Sequence, residues 1–476
     1  MSLLGYEDDF SSSDSNEDME STVRRWRRAL RRHDFSTELP DLHIIEDLID
    51  YCLERENFTD ALAFCNHWLE RFPTSSDAWQ RKGIILINLG KFRQALLALE
   101  QALSLNPFDT EALINKASAL DQSGKSNDAM EVIESVLQSD PSNDEALYEK
   151  GFILESLKKY DEAIAIFRYL AESGFFPAEA FQEIAYCYNS LNDYDNSVLF
   201  YKCAIDEDPF DQNLWYNLGV IYSENEKYKE AINCYDMAVT IDDTFFSAWY
   251  NQGNSFSALG KLPNAIECYR EALKFEPTDI DTWHNLASAL GDSGNYAEAI
   301  KCFTKAISIN KYHYQSFFGR GICYDSIEKY DKAIEDYDTA ILLNHTYHEL
   351  WYAKADALYN AGRFDQALEC YRVVLSLQPK YYECWCDYGT TLLELGNISQ
   401  AEQAFSNIIK LAPDWSEGYW WLGKLYLQVE KAEDASQMFS KAFKLDPEKL
   451  LSLRTEFAEI CPKGNLENFI EKVKKM

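Results

Sequence analysis

The segments "LWYNLGVIYSENEKYKEAINCYDMAV" (214–239), "AWYNQGNSFSALGKLPNAIECYREAL" (248–273) and "TWHNLASALGDSGNYAEAIKCFTKAI" (282–307) superpose without a gap at a spacing of 34 residues. Extending that frame both ways gives twelve units, starting at 42, 76, 110, 144, 178, 212, 246, 280, 314, 348, 382 and 416, the last ending at 449. Columns of like residues fix the register. Position 20 is Ala in every unit except Ser197. Position 8 is Gly or Ala in every unit except the first, which has Ile49. Position 32 holds eight of the twelve prolines, and position 4 holds Trp79, Trp215, Trp249, Trp283, Trp351 and Trp385.

Within a unit the apolar residues recur at i, i+3, i+4 and i+7, the period of a helix with one buried face. Gly90, Gly124, Gly260, Gly294, Gly362 and Gly396 stand at position 15, where a left-handed residue ends a first helix. A second helix follows and stops at the proline. Small residues at positions 8 and 20 let the two helices approach, and the Trp at position 4 is expected to fill the space beside them. One such hairpin cannot bury its own apolar face, so the units must stack.

This pattern closely resembles the tetratricopeptide repeat family over residues 42–449. The resemblance implies an all-α fold, an α-solenoid of stacked antiparallel helix hairpins wound as a right-handed superhelix, with the first helices lining a concave groove. Repeats 4, 6, 8 and 9 depart from the pattern, with Phe175, Asp243, Lys311 and His345 in place of the closing proline, and read as loosened junctions. Residues 450–476 offer an amphipathic helix, a break at Cys461–Gly464, and a second helix with Leu466, Phe469, Ile470 and Val473 on one side. They read as a cap over the last hairpin.

Composition narrows the function classes. The chain has 476 residues and a formal charge of −34, nearly all of it in the repeat array. Broad contact with nucleic acid or anionic lipid is disfavoured, because phosphates would be repelled. No window is apolar for the ~18 residues that a membrane helix requires. The opening MSLLGYEDDF has no basic region or long apolar core, so it does not read as a secretory signal. Twelve cysteines without a CxxC pair suggest a reducing, cytoplasmic setting. No phosphate loop, nucleophile elbow or zinc-binding motif occurs, so neither catalysis, a cofactor nor a metal is expected. Cys234, Cys268, Cys302 and Cys370 share position 23; helices stacked ~10 Å apart put that column beyond disulfide reach, and it reads as packing.

In the family, positions 2, 5, 6, 9, 12 and 13 of the first helix face the ligand. Position 5 here gives Tyr148, Tyr216, Tyr250, His284, Phe318, Tyr352 and Trp420, and position 6 gives Asn115, Asn217, Asn251 and Asn285. Asparagine amides offer a donor and an acceptor to an extended backbone, and the rings offer apolar area and hold cations. Acids at position 2, from Asp77 to Glu417, favour a basic ligand. The same residues also serve helix stability and solubility, so the convex face, edges and termini remain alternatives. Family members that grip chaperone C-termini use Lys at position 5; no unit here has one, which disfavours that role.

The N-terminus differs in character. Residues 1–20 hold seven acids and no Lys or Arg and read as a disordered tail. Then "VRRWRRALRR" (23–32) supplies Arg24, Arg25, Arg27, Arg28, Arg31 and Arg32 around Trp26. Val23, Trp26 and Leu30 form one stripe of a short helix capped by Ser21 or Thr22, within a basic helix and linker spanning 21–41. Three readings stand: a cap on repeat 1, a site for nucleic acid, anionic lipid or an acidic partner, and an internal ligand of the groove. The reading for the whole chain is a scaffold or adaptor that binds basic or aromatic-rich segments of other proteins. The alternative is an accessory subunit that targets an enzyme or nucleic-acid complex through its arginine arm.

Overall fold

The computed structural model describes residues 19–28, 42–451, 453, 469–471 and 473. The helices collect into two compact units, residues 1–225 and 226–476. Among the described residues there is no strand.

The first unit opens with α1 (19–28). Hairpins follow: α2 (Leu42–Glu54) with α3 (Phe58–Arg71), α4 (Ser76–Asn88) with α5 (Phe92–Leu105), and α6 (Thr110–Gln122) with α7 (Ser126–Ser139). Next come α8 (Asp144–Ser156) with α9 (Tyr160–Ser173), α10 (Pro177–Ser190) with α11 (Tyr194–Glu207), and α12 (Gln212–Glu224). The second unit starts with α13 (Tyr228–Ile241) and continues with α14 (Phe246–Ala258), α15 (Leu262–Phe275), α16 (Ile280–Asp292) and α17 (Tyr296–Ile309). Then follow α18 (Tyr314–Ser326), α19 (Tyr330–Leu343), α20 (His348–Asn360) and α21 (Phe364–Leu377). It closes with α22 (Tyr382–Glu394), α23 (Ile398–Leu411), α24 (Ser416–Gln428) and α25 (Ala432–Leu445).

The position-20 residues, from Ala61 to Ala435, are completely buried, which brings the paired helices together. Position 8, as expected, lies against the second helix of its own hairpin, at a ring. A Cβ added at Gly253, Gly321 or Gly389 would lie 2.3–2.7 Å from the ring at position 24 of the same hairpin: Tyr269, Tyr337 or Phe405. The glycine is therefore the floor on which that ring rests. The Trp at position 4 does more than fill space. Trp79, Trp283, Trp351 and Trp385 pack against the buried clusters, and each of the six indole Nε1 atoms donates to the carbonyl oxygen of position 32 in the preceding unit. The acceptors are Pro73, Pro209, Asp243, Pro277, His345 and Pro379, all at 2.9–3.0 Å. Asp243 and His345 accept as well as the prolines do, so those two junctions are not loosened. The junction after α9 is the distinct one: Gly174 and Phe176 are both left-handed, and α10 starts one residue early with Pro177 in its first turn.

The turn between paired helices is uniform. All six position-15 glycines have φ of 68–83°, and the six other residues there, Glu56, Lys158, Asn192, Glu226, Glu328 and Glu430, are left-handed as well, with φ of 56–61°. At the six glycines and at Glu56, Lys158, Asn192, Glu328 and Glu430 the same pair of backbone bonds closes the turn, as with Glu328 N to Asp325 O and Lys329 N to Tyr324 O. A side chain in this conformation costs ~1–2 kcal/mol, partly offset by the freedom glycine adds to the unfolded chain. Glu328→Gly is accordingly expected to stabilise the protein by about 0.5–1 kcal/mol in urea unfolding, and Gly362→Ala to destabilise it by about 1 kcal/mol. A lower urea midpoint for Glu328→Gly would contradict this account.

Both ends of the array are covered. Val23 and Trp26 of α1 are buried against Ile45, Leu48, Ile49 and Trp68 of the first hairpin, the placement of a cap. Met19 and Glu20 are already helical, so Ser21 and Thr22 lie inside the helix and are not its N-terminal cap. Leu453, Phe469, Ile470 and Val473 are buried with Tyr419, Trp420 and Phe439 of the last hairpin. The acidic tail 1–18, Leu30, Arg31, Arg32, the linker to 41, and Cys461–Gly464 with Leu466 lie outside the described residues.

Candidate functional site

From α4 onward the first helices turn positions 3, 8 and 10, and in several cases 11, into the core, as Leu350, Ala355, Ala357 and Leu358 of α20 illustrate. Positions 2, 5, 6, 9, 12 and 13 are left on the other face. Within each unit, successive first helices approach one another more closely than successive second helices do, α6 with α8 and α16 with α18 being examples. The closer-spaced side of a stack is the inner side of its curve. The face carrying these positions therefore lines the inner side of each unit.

The predicted position-5 rings from Tyr148 to Tyr352 are half-buried and join core to inner face, whereas Trp420 is buried in the core of the last hairpin. Tyr250, Phe318 and Tyr352 lie 6.2, 5.9 and 6.0 Å from the position-24 rings Tyr269, Tyr337 and Tyr371. His284 meets Phe303 at 5.5 Å and His313 at 5.3 Å. In the first unit, Tyr148 contacts Phe152, Phe167 and Phe175. This column thus packs hairpins as well as lining the inner face. The asparagines are half-buried too. Asn285 Nδ2 donates to Tyr250 Oη and to Asn254 Oδ1, both at 3.1 Å, linking two successive first helices. Asn251 and Asn285 belong to the second unit; Asn115, Asn217 and Tyr216 line the first.

The feature missed from sequence is acidic. Asp325, Asp356 and Asp387 occupy positions 12, 9 and 6 of α18, α20 and α22. Each step moves to the next first helix and back one helical turn, so the three run diagonally across the inner face. Tyr371 Oη donates to Asp356 Oδ1 at 2.6 Å, and Tyr352 Oη donates to Asp387 Oδ2 at 2.5 Å. Asp325 Oδ1 is buried with no partner among the described residues. Burial pushes the Asp356 carboxyl up to about 7, against the bond from Tyr371, and Asp387 and Asp325 push it further. Burial also raises Asp325 and Asp387. The first unit repeats the theme with Glu149, Glu155 and Glu183 on α8 and α10, raised by burial to about 7, 7 and 8, with Glu155 adding to the shift at Glu183. No described Lys or Arg forms an ion pair with any of these six.

Other chemistries find little support in the geometry. His284 and His313 share Ser316 Oγ at 3.3 and 2.7 Å, and burial followed by the neighbouring His313 lowers His284 to about 4. Among the described residues, no group of three or more His, Cys, Asp or Glu could hold a metal ion. Cys234, Cys268, Cys302 and Cys370 are buried free thiols. Burial raises Cys268 to about 12 and Cys302 and Cys370 to about 11, so they stay neutral.

On α1, Arg27 forms an ion pair with Asp60 and Arg24 with Glu20, while Arg24, Arg25 and Arg28 are exposed.

Family models described as tetratricopeptide repeat match residues 178–211, 213–245, 246–279, 280–313, 314–347, 348–381, 370–403 and 416–449. The chain belongs to the tetratricopeptide repeat family. A further model, described as anaphase-promoting complex, cyclosome, subunit 3, matches residues 88–170 of this tetratricopeptide protein. No curated protein matches the chain. Among solved structures, it is similar to the C-terminal part of a repeat protein from Cytophaga hutchinsonii, at 20% identity and a TM-score of 0.44 over 50% of this chain and 97% of that one. A tetratricopeptide repeat protein from Parabacteroides merdae aligns at 19% identity and a TM-score of 0.41, over 52% and 98%. YrrB, described as having an unusual peptide-binding site, aligns at 19% identity and a TM-score of 0.35, over 39% and 95%. Among the described residues no helix is long and apolar enough to cross a membrane.

Proposed function

We propose that this tetratricopeptide protein is a non-catalytic scaffold or adaptor that holds extended, basic segments of partner proteins against its inner faces. The observation that carries the reading is the diagonal of Asp325, Asp356 and Asp387, three acid groups without a basic partner beside the Tyr352 ring, which a bound cation would hold ionised. A Lys or Arg side chain from an extended peptide supplies the missing cation, and the position-5 rings supply apolar area and cation–π contact. The spacing suits an extended chain: successive helices stand ~10 Å apart, about three residues of strand. Buried, free cysteines fit a reducing cytoplasm.

A labelled twelve-residue peptide of alternating Lys and Tyr tests the reading by fluorescence anisotropy. Asp356→Asn with Asp387→Asn is expected to weaken binding at least tenfold while the helical circular-dichroism signal stays intact. Undiminished binding moves the ligand surface away from this face.

A further inference from the structure

We propose that the outward face of α1 is a docking surface for an acidic peptide segment of a partner protein. The helix has two faces of opposite character. Met19, Val23 and Trp26 turn toward the first hairpin, and Val23 and Trp26 are 4% and 8% exposed. Arg24, Arg25 and Arg28, at i, i+1 and i+4, are exposed on the other side. Arg27 lies at the boundary and pairs with Asp60, tying the helix to α3. Apolar burial and that ion pair hold the helix in place. Of the outward arginines, Arg25 lies over the Trp26 ring at 5.3 Å and Arg24 pairs with Glu20 of the same helix, and among the described residues neither forms an ion pair or hydrogen bond with the first hairpin.

One contact shows what this face accepts. Arg24 Nη2 already donates to Glu20 Oε1, so a carboxylate sits on the arginine face. Both side chains are about half or more exposed, at 66% and 48%, and such a pair contributes no more than ~1 kcal/mol. An incoming carboxylate exchanges with Glu20 at little cost.

The charge of the whole chain selects among anionic partners. A nucleic-acid duplex or a bilayer spreads phosphates over tens of ångströms and would meet the acidic repeats of a chain with a net charge of −34. A short acidic peptide reaches the end helix alone. The planar guanidinium fork also matches a carboxylate bidentately. This surface is separate from the inner faces and does not depend on their function.

The test uses the full chain and a fluorescein-labelled twelve-residue polyglutamate. The expected result is binding that weakens as salt rises and falls at least tenfold in Arg24→Ser/Arg25→Ser/Arg28→Ser, with an unchanged melting temperature. Equal binding by that variant, or no binding by the unaltered chain, overturns the proposal. Arginine-dependent binding of a 20-base-pair DNA or of phosphatidylserine vesicles that is tighter than binding of polyglutamate overturns the acidic peptide as occupant. Tenfold tighter probe binding by a chain lacking residues 1–18 assigns the face to the chain's own N-terminus and overturns the external partner.

Discussion

Raising the pH from about 5.5 to 8 lowers the melting temperature of this protein by roughly 5 °C or more. The cause is a set of carboxyls that folding holds protonated: Glu149 and Glu155 near 7 and Glu183 near 8 in the first unit, and Asp356 near 7 in the second. Below about pH 4.5 these groups are protonated in both states and favour neither. As pH rises, the unfolded chain ionises them in water first, while the folded chain still binds their protons. Stability therefore falls through this interval, and the loss is complete once pH exceeds the folded values. Relief of general acidic repulsion at low pH acts in the same direction, so a variant must separate the two. Glu183→Gln should raise the melting temperature at pH 8, change it little at 5.5, and flatten the profile. A Glu183→Gln profile parallel to that of the unaltered chain would reduce the effect to net charge.

Gly389→Val is expected to destabilise the second unit by about 3 kcal/mol in urea unfolding. Even the first carbon of a side chain at Gly389 would stand 2.3 Å from Phe405 Cε1 and 2.7 Å from its Cζ. Phe405 cannot withdraw freely, because it is fully buried and stacks on Trp421 with centroids 6.0 Å apart. Phe405→Ala alone should cost ~3–5 kcal/mol by leaving a cavity. Valine in the double variant occupies part of that cavity, so the combined loss should fall short of the sum by at least ~1 kcal/mol. Strict additivity would mean that position 8 is small for some reason other than this ring.

The hairpins were legible because a fixed period, buried alanines at position 20 and punctuating glycines and prolines agree with one another. Three details were not. Glu56 or Glu328 carries no residue-level sign of a left-handed turn; the neighbouring helices impose it. The role of Trp79 and its equivalents depends on a main-chain acceptor, which a sequence does not display. The inner face was partly legible: Tyr250, Asn285 and Tyr352 do line it, though they are also engaged with neighbouring residues. The acidic diagonal was hidden among 79 acids, because reading down one column never links position 12 to positions 9 and 6 of later units. Following the ligand-facing positions obliquely from unit to unit would have revealed it.

The bond from each indole to a main-chain oxygen has a consequence for how such a protein changes over generations. Every residue possesses that oxygen, so mutation can rewrite the acceptor site freely while the tryptophan alone must persist. A whole hairpin can be duplicated or lost and the new neighbours will still latch, whereas an insertion of any other length strands the latch.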